Sequence, residues 1–324
     1  MKPFKLIFEK SIEENKIPDI WKSAYVTSIF KSGSKFKPEN YRPISLTSVP
    51  GKILERLIRD ELVNHMKANS FFSKSQHGFL AGRSCTTQLL EFLEDVTTAL
   101  DNGEDVDVIY LDFCKAFDKV PHKRLLKKLW GYGIRGNIYS WILDFLSDRK
   151  QYVKVCGISS DPVMVTSGVP QGSVLGPILF LIYINDLPEV ISAITKLFAD
   201  DAKIYRSIAT NQHIAQVQLS VDEAVAWADT WEMFFNFKKC KHLHIGTRQD
   251  PAIYKMKCGQ ESFSIEKCTS ERDLGVTVDQ ALNFSEHISC KVSKANRNLG
   301  IIFRTFTFMD KEMFLNLYKS IVRP

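Results

Sequence analysis

Asp112 stands at the end of an apolar, strand-like run, Val106 to Phe113 (VDVIYLDF), and Asp200 and Asp201 sit in a tight turn inside Lys196 to Tyr205 (KLFADDAKIY). Carboxylates at the ends of apolar strands are costly to gather, because like charges repel and desolvation penalises each ion. A divalent cation resolves the conflict. Mg²⁺ prefers oxygen ligands, keeps several waters, and is held by one or two carboxylates plus substrate phosphates. Two such ions can activate an attacking hydroxyl, stabilise the leaving oxygen and clamp an in-line phosphoryl transfer. Adjacent aspartates are also ordinary turn residues, so the pair alone does not decide.

The elements that must position these residues are legible from periodicity. Gly51 to Lys67 and Thr87 to Leu100 read as amphipathic helices, and Val106 to Phe113 as a buried strand. His122 to Trp130 is a short helix with Leu125, Leu126 and Leu129 inside and its lysines outside, stopped by Gly131 and Gly133. Tyr139 to Leu146 is helical, Gln151 to Cys156 and Met164 to Val165 form a hairpin, and Lys196 to Tyr205 is strand, turn, strand. Ile214 to Trp231 is a long helix and His242 to Ile245 a strand. Strands and helices alternate irregularly, which favours an α+β layer over a doubly wound sheet. No repeat or Gly/Ser-rich linker separates the parts, so sub-domains packed together are expected.

Composition bounds the function. The chain has 324 residues, 44% hydrophobic and 25% charged, with 22 Phe, enough apolar material for a sizeable core and unlike a disordered chain. Its longest apolar run, Val174 to Ile184, is broken by Gly176 and Pro177 and is too short to span a bilayer. Met1 to Lys16 mixes Lys and Glu through its apolar positions and does not read as a signal peptide, so an intracellular protein without membrane association is expected. Cys85, Cys114, Cys156, Cys240, Cys258, Cys268 and Cys290 are scattered and odd in number, the usage of reduced thiols. Cys240-Lys-His242-Leu-His244 alternates as a strand face does, and no second ligand pair follows at zinc spacing. Net charge is only +6, but basic residues bunch at Lys31 to Arg42, Lys119 to Lys128, Lys238 to Lys241 and Lys291 to Arg304, a distribution that permits a polyanion partner.

Three ordered segments carry more information: Tyr110-Leu-Asp112-Phe-Cys-Lys-Ala-Phe117-Asp118, then Ser167-Gly-Val-Pro-Gln171-Gly172-Ser-Val-Leu-Gly176-Pro177, then Phe198-Ala-Asp200-Asp201. Together they resemble the palm motifs of reverse transcriptases, specifically the non-LTR (LINE-type) retrotransposon enzymes of the jockey-like clade. Upstream, Lys31-Ser-Gly33, Asn40-Tyr-Arg42-Pro-Ile-Ser-Leu-Thr-Ser and Ser75-Gln-His-Gly78-Phe-Leu-Ala-Gly82-Arg83-Ser are similar to the fingers motifs of that family. The resemblance runs in order from about residue 17 to beyond 300.

The resemblance implies a right-hand polymerase fold, with fingers over 1–105, a palm over 106–248 interleaved with them, and palm end, primer-grip-like hairpin and incomplete thumb over 249–324. It implies RNA-directed DNA polymerase chemistry with two Mg²⁺ ions, or Mn²⁺ in their place, held by Asp112, Asp200, Asp201 and the Phe113 carbonyl. Phe117 matches the aromatic that excludes a 2′-hydroxyl, and Gln171 and Gly172 match the motif beside nucleotide and template. Lys31 and Arg42 match triphosphate-holding positions, and an ammonium and a guanidinium suit phosphate oxygens. Lys239 matches the lysine that protonates pyrophosphate, with Lys238 and Lys241 as neighbours. Leu274-Gly275-Val276 resembles the primer-gripping hairpin, and Arg83 is a template contact or the partner of a local acid. The implied partners are an RNA template, a DNA primer, their hybrid and dNTPs, with the chain acting as a monomer in nucleus or cytoplasm.

The family's complete proteins are longer and carry an endonuclease. Met1 falls near the start of the fingers, and Tyr318 to Pro324 ends inside a helix-like stretch, so the chain reads as a polymerase core from a truncated copy. Two rivals follow. One is a catalytically dead remnant that only binds nucleic acid. The other is a different palm enzyme, which Phe117 and the S-G-V-P-Q-G-S motif disfavour.

Overall fold

The structure, a computed structural model, describes residues 2–155, 157–248 and 252–323. Met1, Cys156, Pro324 and the Cys258 side chain, all named above, lie outside the described set. Helix α1 (Lys2–Glu13) and a short α2 (Asp19–Lys22) lead into the antiparallel strands β1 (Ser23–Phe30) and β2 (Tyr41–Leu46), with Tyr25 opposite Leu46. Helix α3 (Val49–Ala68) starts where the Ser48 hydroxyl accepts from the Gly51 N–H, with Pro in the first turn. It buries Leu54, Ile58, Leu62 and Met66, one face at four-residue spacing. Helix α4 (Cys85–Asp101) opens on a reciprocal cap between Ser84 and Thr87.

Strand β3 (Asp105–Leu111) follows, then helices α5 (Ala116–Lys119), α6 (His122–Gly131) and α7 (Gly136–Leu146). Strand β4 (Lys150–Val155) lies parallel to β1, and the short β5 (Ile158–Ser159) and β6 (Val163–Met164) fold back on it antiparallel. Helix α8 (Leu175–Ile184) takes up the apolar run seen in the sequence. It is buried on every side, as an all-apolar helix must be. Among the described residues no helix is long and apolar enough to cross a membrane. Helix α9 (Leu187–Val190), strands β7 (Ile194–Phe198) and β8 (Asp201–Ile208), helix α10 (Asn211–Trp231) and strand β9 (Lys241–Ile245) follow. After them come the hairpin β10 (Lys255–Cys258) and β11 (Glu261–Ser264), strand β12 (Glu266–Cys268), the hairpin β13 (Ser270–Asp273) and β14 (Val276–Asp279), and helices α11 (Ser285–Thr305) and α12 (Lys311–Leu317).

The central sheet runs β12-β9-β3-β8-β7, all antiparallel except β12 with β9. Its alternating side chains feed two cores. Val106 and Val108 pack with Phe92, Val96 and Val278 on one face, and Ile109 and Leu111 with α8 and α10 on the other.

One expectation fails at α6. Lys123 and Lys127 are exposed, but Lys128 is only 5% exposed, not outside. Its ammonium pairs with Asp186 and sits 3.9 Å from the Trp231 ring centre and 4.7 Å from that of Trp227. A counter-ion and aromatic faces replace the water that the charge would otherwise keep. Cys240 is buried, and His242 and His244, both in β9, bond the Asp107 carboxylate at 3.0 Å and 2.7 Å.

Candidate active site

Strand β3 ends at Leu111, opposite Ala202, so the next residue along, Asp112, is carried to the start of β8 where Asp201 stands. The β7–β8 turn places Asp200 beside it, with Phe198 opposite Asp201. The charges feel one another. Burial, and after it the charge on Asp112, raises the Asp200 carboxyl above its ordinary range against the pull of Arg42 and Lys31. Asp201 is pushed up to about 6 by partial burial, by Asp200 and Asp273, and by Asp112. The Lys239 ammonium lies 3.5 Å from Asp112.

Among the described residues no three His, Cys, Asp or Glu side chains stand at metal-ligand spacing. The donor chemistry nevertheless fits a hard divalent cation: carboxylate oxygens that repel one another in a half-buried cleft, with room for phosphate and water ligands. Phe113 adds a possible backbone oxygen. Its ring is buried and stacks on Phe235 at 4.5 Å. The bonds Cys114 N–H to Phe234 and Asn236 N–H to Asp112 flank a Phe113–Phe235 bridge. In such a pair the flanked residue turns its own N–H and C=O away from its partner, here toward the β8 side.

A groove of about 910 Å³ opens from Asp112 and Asp200 toward the β1–β2 sheet, and Lys31, Arg42, Phe117 and Gln171 line it. The Phe117 ring stacks on the fully buried Phe180, with centroids 4.4 Å apart, so its position is fixed from behind. Gln171 donates its side-chain Nε2 to Asp118 at 3.2 Å, and its main-chain carbonyl accepts from the Ser45 N–H at 2.7 Å. Gly172 has φ of +112°, and a Cβ there would stand 2.4 Å from the Ser45 carbonyl oxygen. Glu55, buried in α3, accepts from the N–H groups of Val174 and Leu175 and so holds the next turn. Burial raises the Glu55 carboxyl above its ordinary range.

A second, smaller cavity of about 190 Å³ lies on the other side, between Asp112, Asp201 and Lys239 and the β13–β14 hairpin. Leu274 lines it; Leu274 and Gly275 make the hairpin turn with φ of +46° and +95°. Arg83 lines neither cavity. Its guanidinium donates to the carbonyls of Ser73, Lys74 and Gln76, with no acid among these partners. Sequence reasoning also missed Asp118, Ser45 and Gln76, whose roles depend on contacts between distant segments. Each left a signal only by falling inside a quoted motif, Asp118 beside Phe117, Ser45 after Arg42 and Gln76 before Gly78.

The sequence profile of the Reverse transcriptase (RNA-dependent DNA polymerase) family matches residues 29–299, which include all three aspartates together with Lys31, Arg42, Phe117 and Gln171. The chain belongs to the reverse transcriptase family. Among curated relatives it is 31% identical to the probable RNA-directed DNA polymerase from transposon X-element of Drosophila melanogaster, over 98% of this chain and 36% of that protein. It is 29% identical to the RNA-directed DNA polymerase from mobile element jockey of the same species, again over 98% and 36%. This reverse transcriptase chain thus spans about a third of the length of the curated relatives it matches. Among solved structures, apo telomerase from Candida tropicalis truncated from its C-terminal domain superposes with a TM-score of 0.55 at 12% identity, over 83% of this chain and 55% of that one. Telomerase from the same species in complex with a TWJ fragment of telomeric RNA gives 0.53 at 12%, over 98% and 56%. At that identity the likeness is one of fold, and the fold is the α+β right-hand polymerase fold of reverse transcriptases.

Proposed function

We propose that this chain is an RNA-directed DNA polymerase core that adds dNTPs to a primer 3′-hydroxyl on an RNA template, of the kind found in non-LTR retrotransposons. The observation that carries the reading is the meeting of Asp112 with the Asp200–Asp201 turn, where Asp112 and Asp200 line a groove shared with Lys31, Arg42 and Phe117 and Asp201 faces the smaller cavity beside it. Asp112, Asp200, Asp201 and the Phe113 carbonyl would hold the metal ions. When bound there, a pair of Mg²⁺ or Mn²⁺ ions supplies acidification of the primer hydroxyl and neutralisation of charge on the pyrophosphate.

The chain's own groups do the rest. Lys31 and Arg42 hold the triphosphate, and the Phe117 ring closes the space beside the sugar C2′ so that a 2′-hydroxyl does not fit. Gln171 bonds the substrate with the half of its amide that Asp118 does not use. Lys239, beside Asp112, supplies a proton to the departing pyrophosphate. Little covalent work falls to the protein, and positioning with charge stabilisation carries the rate. The hairpin turn at Leu274 and Gly275 takes the primer end, and Arg83 serves the template side through the loop it braces.

In this reading residues 1–105 are fingers, 106–248 the palm, and 249–324 the palm end, hairpin and part of a thumb. The chain acts as a monomer in nucleus or cytoplasm. Template and primer are held through their backbones by the basic clusters, so affinity falls steeply with salt. The test is primer extension on an RNA template with Mg²⁺ and dNTPs, with the Asp200→Asn, Asp201→Asn variant as blank. Extension by the wild type alone establishes the activity. Salt-sensitive binding without extension identifies a chain that only binds nucleic acid.

A further inference from the structure

The turn that carries Asp200 is held in a conformation it would not adopt alone. Ala199, 5% exposed, has φ of +55°, a left-handed setting that is unfavourable for a residue with a Cβ. What offsets this comes from a distant segment, residues 73–83. Gln76 is 1% exposed and turns its Oε1 to two backbone donors, the N–H of Ala199 at 2.9 Å and that of Gly78 at 2.7 Å. The opposite amide orientation would set a donor against two donors, so the side chain has one permitted setting.

The surrounding backbone runs along β7. The His77 N–H donates to the Leu197 carbonyl at 2.8 Å, and the Leu197 N–H to that of Ser75 at 2.9 Å. At Gly78 the approach is closer still, since a Cβ there would stand 2.5 Å from the Ala199 nitrogen. Arg83 closes the loop from outside, its guanidinium donating to the carbonyls of Ser73 at 2.9 Å, Lys74 at 3.1 Å, and Gln76. Gln76, Gly78 and Arg83 of the motif Ser75-Gln-His-Gly78-Phe-Leu-Ala-Gly82-Arg83 are thus spent on one another and on the Asp200 turn.

We propose that Gln76 is a positioning residue for Asp200, fixing the left-handed turn through the Ala199 N–H, and that Arg83 acts by holding the Gln76 loop. This rests on the reading of Asp200 as a metal-holding carboxylate. Without the Gln76 acceptor the Ala199 N–H is left buried and unpaired, the turn relaxes, and the carboxylate loses its fixed direction.

The test is Gln76→Met in the full chain, which keeps side-chain length and removes the acceptor. Two signals are read: amide hydrogen exchange of the Leu197–Asp201 segment, and binding of Mn²⁺ alone followed by electron paramagnetic resonance. Exchange in that segment should rise about tenfold while β9 is unchanged, and half-saturation should need about tenfold more Mn²⁺, the scale of one lost hydrogen bond. A folded variant with wild-type Mn²⁺ binding overturns the proposal. If the wild type itself binds no Mn²⁺, the metal reading of Asp200 falls, and exchange decides alone: faster exchange sustains the brace and unchanged exchange overturns it. Should Gln76→Met fail to fold, Arg83→Gln is read by the same two signals with the same expectations.

Discussion

The ammonium of Lys203 donates to the carboxylate of Asp273, both ends nearly sealed from water at 1% and 6% side-chain exposure. It also donates to Gln88 at 3.0 Å and lies over the Phe92 ring. One ion pair therefore ties the strand that starts at Asp201 to the hairpin that turns at Leu274 and Gly275. Removing one partner of a buried pair strands the other charge, so Lys203→Met should cost ~3–5 kcal/mol, whereas Lys203→Met with Asp273→Leu should recover much of the loss. Urea denaturation of the single and double variants checks this.

Asp200→Asn with Asp201→Asn should abolish Mg²⁺-dependent synthesis. Binding of primer–template hybrid should stay level or tighten, because negative charge leaves a surface that faces phosphates. Extension assays and salt-dependent binding measure the two effects, and unfolding of the variant would contradict a purely catalytic role.

Phe117→Val should admit rNTPs. The ring is fixed by its stack on Phe180, so truncation opens the space it fills rather than letting the ring move aside. Because Phe117 is only half-buried, the stability cost should be modest, about 1–2 kcal/mol. The ratio of kcat/KM for dNTP and rNTP reads the first effect, and an unchanged ratio would place sugar selection elsewhere.

Gly172→Ala meets two obstacles, a positive φ and the Ser45 carbonyl oxygen. The loop carrying Gln171 has to lift off β2, with an expected loss of ~1–3 kcal/mol and a higher KM for dNTP than for primer. Single-nucleotide kinetics with each substrate varied in turn distinguishes the two.

Lys128 gives a pH signature. Burial, opposed by Asp186, brings its ammonium down to about 8 from an ordinary value of 10.5. The folded state therefore binds fewer protons than the unfolded state between those values. Stability from this group rises as pH increases through that window and is lowest below it. Relative to Lys128→Met, the wild type should gain on the order of 1–3 kcal/mol between pH 7.5 and 9.5, measured by urea denaturation at each pH. Tyrosines titrate in both proteins and cancel.

Helices, strands and the aspartate turn were legible because each is written locally. The four-residue spacing of Leu54, Ile58, Leu62 and Met66, the alternation around Val106, and the Asp pair between two apolar runs need no distant partner. Lys128 was misread because a helical wheel counts charge, while the Asp186 and tryptophan surroundings that bury it arrive from other segments. Arg83 read as a template contact or the partner of a local acid; no acid pairs with it, because its partners are backbone carbonyls, which carry no side-chain signature. Gln171 was visible in its motif, but the roles of Asp118, which aims its amide, and Ser45, which holds its backbone, became apparent only with the fold.

Along β8, Ala202, Lys203, Ile204 and Tyr205 are buried in succession, with both faces of the strand occupied. A slip of one residue against β3 would exchange those faces, so the Leu111–Ala202 register is set by the apolar interior. Asp112 and Asp201 inherit their alignment from side chains that never meet a substrate. A lineage can therefore lose an aspartate to a single base change and keep the scaffold. It cannot lose the interior and keep the aspartates aligned. Drift without selection would erase the carboxylate cluster before it erased the fold.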